Sequence, residues 1–402
     1  MQAQQPRLFF LDWVRIIAFL LLILYHVGMY YVSWDWHVKS AFASEAIEPF
    51  MIMSSPWRLS LLFLISGVAS SFMLAKIGAG KFMRQRSVRL LVPLIFGMFV
   101  IVPPQPFFEV IEKFAYQGSY GEFMRLYVGG DAGFCNHAKC LDLPTWNHLW
   151  FVAYLWVYTL LFGSLIMMMG ARFDRIASRV VAFLSGWKLI ALPVLFLGVL
   201  RIALSSQFPA THNLTWDWYN HANYLSVFIL GAMFARNHSI WHKMDGLRWT
   251  ALGLAFASWA ALIVYFSLAD SLADGANFEY LRMTMRVVYM LCAWSAIVAA
   301  CGFAHRHLNR DNASRAYLTE AVFPVYILHQ TLIVSIAHLI KPAHIAPATE
   351  GCILVVLTLC ISVGVFDIVR RFNVLRPLFG LQWQKTSTER AAPAYAPAAA
   401  AH

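Results

Sequence analysis

The stretch LDWVRIIAFLLLILYH, residues 11–26, decides how this chain is read. It lies inside an apolar run, 8–31, that has the length of about 20 residues a membrane-crossing helix needs. Yet it carries Asp12, Arg15 and His26, ionisable groups that are expensive inside a bilayer and mark function when they are found there. At ~100° and ~1.5 Å per residue, Arg15 and His26, 11 positions apart, project within about 20° of each other and roughly 16 Å apart along the axis. Asp12 sits one turn before Arg15 on nearly the same face. The helix therefore has one polar stripe, with an acid and a base near one end and an imidazole toward the other. Its remaining faces, built from Ile16, Ile17, Phe19, Leu20, Ile23 and Leu24, meet lipid or neighbouring helices.

The rest of the chain agrees. Of 402 residues, 60% are hydrophobic and 13% charged, and the mean hydropathy is +0.61; soluble domains average about 45–50% and about 25%. A soluble enzyme of this composition has nowhere to put its apolar surface. The expected fold is an all-α, polytopic integral membrane protein of about ten transmembrane helices. The apolar runs lie near 8–31, 57–75, 88–106, 147–169, 187–205, 221–236, 249–270, 282–303, 316–340 and 350–370, the sixth being short. An even count puts both termini on one side. Lys and Arg number 21 in the segments on that side and 7 on the other, with Arg15, Arg201 and Arg286 inside runs. Both termini are therefore expected in the cytoplasm. The net charge of +11 is then topological, and no nucleic-acid partner is expected. A cleavable leader is not expected either, because the first run is too long for one. The expected organisation is a membrane domain over 1–380 and an Ala/Pro-rich, disordered cytoplasmic tail over 381–402.

Cys292, Cys301, Cys352 and Cys360 sit in apolar runs and read as packing residues. Cys135 and Cys140 lie in the long outer loop, 107–146, and are a candidate disulfide if that side is oxidising. His137 lies between them, but no second Cys pair follows at zinc-site spacing, and no metal is expected.

More polar residues punctuate the runs. WNHLWF (146–151) places His148 at the outer end of the fourth, and FPVYILHQ (323–330) places Tyr326 and His329 inside the ninth. With Asp12, Arg201 and Arg286 these are candidates for lining a site. Each also has a plainer reading: Asp12 and Arg15 as an i,i+3 pair snorkelling to headgroups, the histidines as helix–helix hydrogen bonds. The functional reading is a polar cavity through the bundle. Burial disfavours a charged imidazole, so His26 suits a general base. In AKIGAGKFMRQRSVRLLVP (75–93), Arg86 and Arg89 are i,i+3 and present two guanidinium forks on one helix face, fit for phosphate. Positive-inside topology alone accounts for the same charges, and GAG is no phosphate loop. On the outer side, YYVSWDWHV (30–38) and LTWDWYNH (214–221) offer Trp34, Trp36, His37, Trp216 and Trp218, either to stack on an acceptor or to anchor in headgroups.

An Arg, ten residues and a His on the first run, with RSVR (86–89) entering the third, resembles the acyltransferase-3 family of membrane acyltransferases. LDWVR (11–15), FLISG (63–67), HLWF (148–151) and YILH (326–329), in this order, extend the resemblance over most of the chain. With WHVKS (36–40), the pattern looks most like the glucan biosynthesis protein C branch, which succinylates osmoregulated periplasmic glucans. Where many relatives carry two adjacent histidines, Tyr25 precedes His26 here. The resemblance implies that Arg15 and His26 are catalytic and that Arg86 and Arg89, with Arg84, bind the phosphates of cytoplasmic acyl-CoA. It implies succinyl-CoA or acetyl-CoA as donor substrate, no permanently bound cofactor, and residence in the bacterial inner membrane. The partners implied are membrane lipid, acyl-CoA, a periplasmic glucan or other glycan, and as a candidate a second copy of the chain. His26 as base and His26 as acyl carrier both stay open. A succinyl carboxylate would need a cation, for which Arg201, Arg286 and Arg15 are candidates. No appended SGNH-type hydrolase domain is seen in the sequence, so no relay to one is expected. The competing readings are acetyl transfer to another surface polysaccharide, a glycan or lipid transporter, and a non-catalytic membrane partner.

Overall fold

A computed structural model describes residues 8–384 apart from 131–132, 136–139, 273–274 and 276. Arg7, His137, Lys139, Lys385, Arg390 and the tail from 385 onward lie outside the described residues. The order is α1 (Phe9–Tyr31), α2 (Glu48–Ser54), α3 (Arg58–Ile77), α4 (Ala79–Phe96), α5 (Pro104–Phe114), α6 (Tyr120–Gly129), α7 (Trp150–Met169), α8 (Ala171–Phe183), α9 (Lys188–Leu204), α10 (Trp218–Phe234), α11 (Ser239–Leu272), α12 (Phe278–His307), α13 (Ala313–Ile340) and α14 (Pro347–Val369). Among the described residues there is no strand, as expected where every backbone polar group must be satisfied inside its own segment.

Among the described residues eight helices are long and apolar enough to cross a membrane, or nine if α8 and α9, bent by 114°, count as one broken span. The expectation from the sequence is about ten. The fifth and sixth runs fall short because α9 and α10 hold 17 residues each. Both nevertheless run along spanning helices. Trp294 Nε1 on α12 donates to the Leu189 carbonyl (2.8 Å), and Arg286 Nη1 donates to that of Ile202 (3.4 Å), so α9 is antiparallel to α12. Helix α10 is parallel to α7: Tyr154 meets His221, and Phe162 meets Phe228. It also touches α3 backbone to backbone. A Cβ at Gly67 would collide with the Phe228 carbonyl, and one at Gly231 with that of Leu64. Small residues let membrane helices approach in this way, which gives the glycine of FLISG its physical reason.

Helix α1 sorts its apolar residues cleanly. Ile17, Leu20 and Leu24 are exposed, on the lipid side, whereas Ile16, Phe19 and Ile23 are buried. Its polar stripe faces α13, and the two helices run parallel. Asp12 pairs with Arg315, Arg15 Nη2 donates to the Thr319 carbonyl (3.5 Å), and His26 meets His329.

The third span is longer than its apolar run. Pro93, a π-helical segment at Gly97–Ile101 and Pro104 at the start of α5 bend it while it continues from Ala79 to Phe114. Proline removes a backbone donor and forces such breaks. The continuation carries Gln105 and Glu109, both buried, into the bundle. Over it lies a small second core of Val110, Phe123 and Tyr127. The loop after α6 joins Cys135 to Cys140 in a disulfide. At the other end, residues 381–384, expected in the tail, pack back: Leu381 is buried and the Gln382 carbonyl accepts from Arg376 Nε (2.6 Å).

Candidate active site

His26 Nδ1 and His329 Nε2 are 2.7 Å apart, and their rings stack with centroids at 4.9 Å. The neighbouring bonds fix which nitrogen holds each proton. His329 Nδ1 is 2.6 Å from the Tyr326 carbonyl oxygen. A carbonyl only accepts, so in the neutral ring His329 Nδ1–H donates and Nε2 is a lone pair. His26 Nδ1–H must then donate to that lone pair, which leaves His26 Nε2 as an unprotonated nitrogen. One ring orients another as a carboxylate orients a base in hydrolytic triads.

The same logic runs outward through a closed network. His148 Nε2–H donates to the Ile327 carbonyl (3.0 Å), so its Nδ1 accepts from Gln105 Nε2 (3.2 Å). Gln105 Nε2 also donates to Thr331 Oγ1 (2.7 Å). Gln105 Oε1 accepts from Asn147 Nδ2 (3.0 Å) and Gln330 Nε2 (2.9 Å). The second amide proton of Gln330 reaches His37 Nε2 (3.1 Å), whose Nδ1–H donates to Glu109 (2.5 Å). Lys113 closes the line on Glu109 (2.9 Å) and Asp35 (2.6 Å). A fully satisfied buried network rigidifies what it touches. Tyr326 Oη donates to the His148 backbone carbonyl and packs its ring against Phe19. Both nitrogens of His148, and both of His329, are thus in use. Among the described residues no group of three His, Cys, Asp or Glu side chains is arranged to hold a metal.

The structure brings His26, His148, Tyr326 and His329 together, and it moves other candidates away. Asp12 is part of a tether: Arg315, 3% exposed, pairs with Asp12 and, at 2.7 Å, with Asp311. Arg201 donates to Tyr219 Oη (2.7 Å) and lies 3.7 Å above the Tyr289 ring, while Arg286 serves the Ile202 carbonyl; both sit between α9, α10 and α12. Trp36 is buried and its exposure is 9%, too little to stack on a sugar, and the Trp34 carbonyl is bound by Lys39. Trp216 and Trp218, 67% and 52% exposed, stay open. Lys39 itself gathers the carbonyls of Met29, Val32 and Trp34 at the end of α1, and burial pushes its pKa down.

Arg15 is displaced from His26 along the stripe and sits with Arg86 and Arg89. The charges of Arg89 and Arg15 both bear on Arg86, and that of Arg15 on Arg89. Asp12, 3.7 Å from Arg15, is the adjoining carboxylate. Arg86 is half-buried with its Nε unpartnered, Arg89 Nε donates to the Gly380 carbonyl (2.9 Å), and Arg84 is exposed. Three guanidinium groups held together repel one another unless an anion joins them.

Sequence reasoning missed Gln105, Glu109, Gln330 and Arg58. Gln105 sits among prolines (VPPQP, 102–106) that read as the end of a span. Arg58 opens a run and read as a loop cation; the structure buries it beside Tyr25 and His26.

A bundle of membrane-length helices with a histidine pair toward one end of α1 and an arginine cluster toward the other has the parts of a membrane enzyme of group transfer. A family model described as an acyltransferase domain matches residues 8–367, and the chain belongs to this acyltransferase-3 family. It is 25% identical over 386 residues to "Glucans biosynthesis protein C" of Escherichia coli O1:K1 / APEC, covering 93% of this chain and 94% of that protein. The protein of the same name from Escherichia coli strain K12 is 24% identical over 386 residues, with the same shares covered. No solved structure matches the chain. The chain is thus a multi-pass membrane acyltransferase.

Proposed function

We propose that this acyltransferase moves an acyl group, succinyl in the first place, from cytoplasmic acyl-CoA to a hydroxyl of a periplasmic glucan. The observation that carries the reading is the chain of contacts from the Tyr326 carbonyl through His329 to His26 Nδ1 (2.6 and 2.7 Å), which leaves His26 Nε2 to accept a proton. The name of the relatives supports the glucan acceptor. The orientation rests on the Lys and Arg distribution and on the parallel course of α1 and α13, which requires an odd number of crossings between them. With both termini cytoplasmic, the Arg15, Arg86 and Arg89 cluster faces the cytoplasm and His26 lies toward the periplasm of the inner membrane.

In this reading the CoA phosphates bind the arginine cluster through charge-assisted forks, and the pantetheine arm follows the stripe between α1 and α13. The thioester carbonyl comes to rest at His26. His26 Nε2 takes the proton of the acceptor hydroxyl as its oxygen bonds to the carbonyl carbon. The C–S bond then breaks, and the CoA sulfur leaves with the proton that His26 returns. Such general-base help is worth about 10²–10⁴ in rate.

The test is purified protein in liposomes, given succinyl-CoA or acetyl-CoA with glucan, reading CoA-thiol release and acyl incorporation for the parent and His26→Ala. Acylated glucan that is lost in His26→Ala is the expected result. Equal turnover by both proteins removes His26 from the chemistry, and consumption of neither donor by folded parent removes the donor assignment.

A further inference from the structure

Arg58 bears three penalties at once. It is 5% exposed, and a buried guanidinium loses its hydration. Its Nε and Nη1 are buried without a hydrogen-bond partner, and among the described residues no carboxylate pairs with it; unmade bonds to a charged donor cost more than neutral ones. It is also the first residue of α3, where the helix dipole disfavours a cation. The one compensation on view is the Tyr25 ring, whose centroid lies 3.2 Å from Arg58 Cζ. A residue this costly is explained when an anion completes it.

The place says which anion. The Tyr25 and His26 ring centroids are 6.0 Å apart, and the Arg58 charge acts on the His26 imidazole. The other intramembrane cations are engaged: Arg201 with Tyr219 and Tyr289, Arg286 with the Ile202 carbonyl, Arg15 with Asp12 and the arginine cluster. The phosphates of a CoA donor belong at that cluster, at the opposite end of the stripe. What remains beside His26 is the acyl group, and a cation one aromatic ring away suits a short chain with charge at its far end.

Resting on the reading of His26 as the transfer site, we propose that Arg58 is the subsite for the terminal carboxylate of a dicarboxylic acyl group. Either unpartnered donor, Nε–H or Nη1–H, forms a fork for that carboxylate together with the Nη2–H beside it, while the thioester carbon sits at His26. Arg58 is thereby a specificity residue that reads diacyl over monoacyl donors.

The experiment compares parent, Arg58→Gln and Arg58→Lys in detergent, measuring kcat/KM with succinyl-CoA and with acetyl-CoA on the same glucan. In Arg58→Gln the succinyl-to-acetyl ratio falls by roughly 100-fold, as for a buried charge pair deprived of one partner, any effect on His26 common to both donors dividing out of the ratio. Arg58→Lys, which keeps the charge, retains part of the preference and serves if the glutamine variant fails to fold. An equal loss on both donors, or an unchanged ratio, overturns the proposal. Should the parent consume neither donor, the donor reading falls, and a second arm decides the subsite alone. Succinate, against an acetate control, raises the melting temperature of the parent and not of Arg58→Gln; an equal response of the two proteins overturns it.

Discussion

His329 gives its Nδ1 proton to the carbonyl of Tyr326, three residues before it on the same helix, and that bond sets the proton on a ring that α1 supplies. Its consequence is testable without touching His26. In His329→Asn the melting temperature stays near parental while kcat falls about 10²-fold or more, because His26 loses the partner that fixes its tautomer. The KM for acyl-CoA moves little, since the arginine cluster is intact. A kcat within threefold of parent at unchanged fold would mean that His329 is a packing residue.

The arginine cluster predicts a different kinetic signature. Arg86→Gln raises the KM for acyl-CoA by about tenfold or more, the worth of one charge-assisted bond. It leaves KM unchanged for an acyl-pantetheine donor that lacks the nucleotide phosphates. Arg89→Gln does the same and also releases the Gly380 carbonyl, so it lowers the melting temperature as well. Arg84, exposed, tolerates the change. Equal effects of Arg86→Gln on both donors would place this side chain elsewhere than on the phosphates.

The glycines separate packing from local propensity. Gly67→Ala drives a methyl into the α10 backbone at Phe228 and costs about 1–3 kcal/mol as an overpacked contact. Gly80→Ala, on α4 with open space around its Cβ position, is stabilising by several tenths of a kcal/mol to about 1 kcal/mol through helix propensity. Thermal unfolding of the two variants in one detergent checks the pair: Gly67→Ala melts below the parent, Gly80→Ala at or above it. A Gly67→Ala variant as stable as the parent would show that α3 and α10 sit further apart.

What the sequence made legible was periodic and local. The stripe of Arg15 and His26, the apolar remainder of that helix and the helical class all follow from spacing within one segment, whereas the split of that remainder into exposed Ile17, Leu20 and Leu24 and buried Ile16, Phe19 and Ile23 came with the structure. What it hid was the identity of the neighbours. His26 and His329 are separated by 303 positions, as are Asp12 and Arg315, and no single-segment pattern tells which helix answers a polar stripe. That the charge of Asp12 also ties α1 to α13 through Arg315 could not be read for that reason. Arg58 was hidden by a rule that is right on average: a cation at the edge of an apolar run marks topology. Only its burial, lack of a partner and nearness to His26 single it out. Length alone leaves α9 and α10 uncounted, because short helices can lie along long ones without matching the length a lone span needs.

The disulfide tests the orientation on which the proposed route depends. Cys135 and Cys140 are bonded in the loop between α6 and α7, and such bonds persist in oxidising compartments. With Cys292, Cys301, Cys352 and Cys360 replaced by alanine, a membrane-impermeant maleimide added to spheroplasts labels nothing until an impermeant reductant is supplied. It then labels both remaining cysteines. Labelling by a permeant maleimide alone, without reductant, would show free thiols in this loop. Labelling only after lysis would put the loop in the cytoplasm, place His26 toward that side, and require the glucan to be acylated before it is exported.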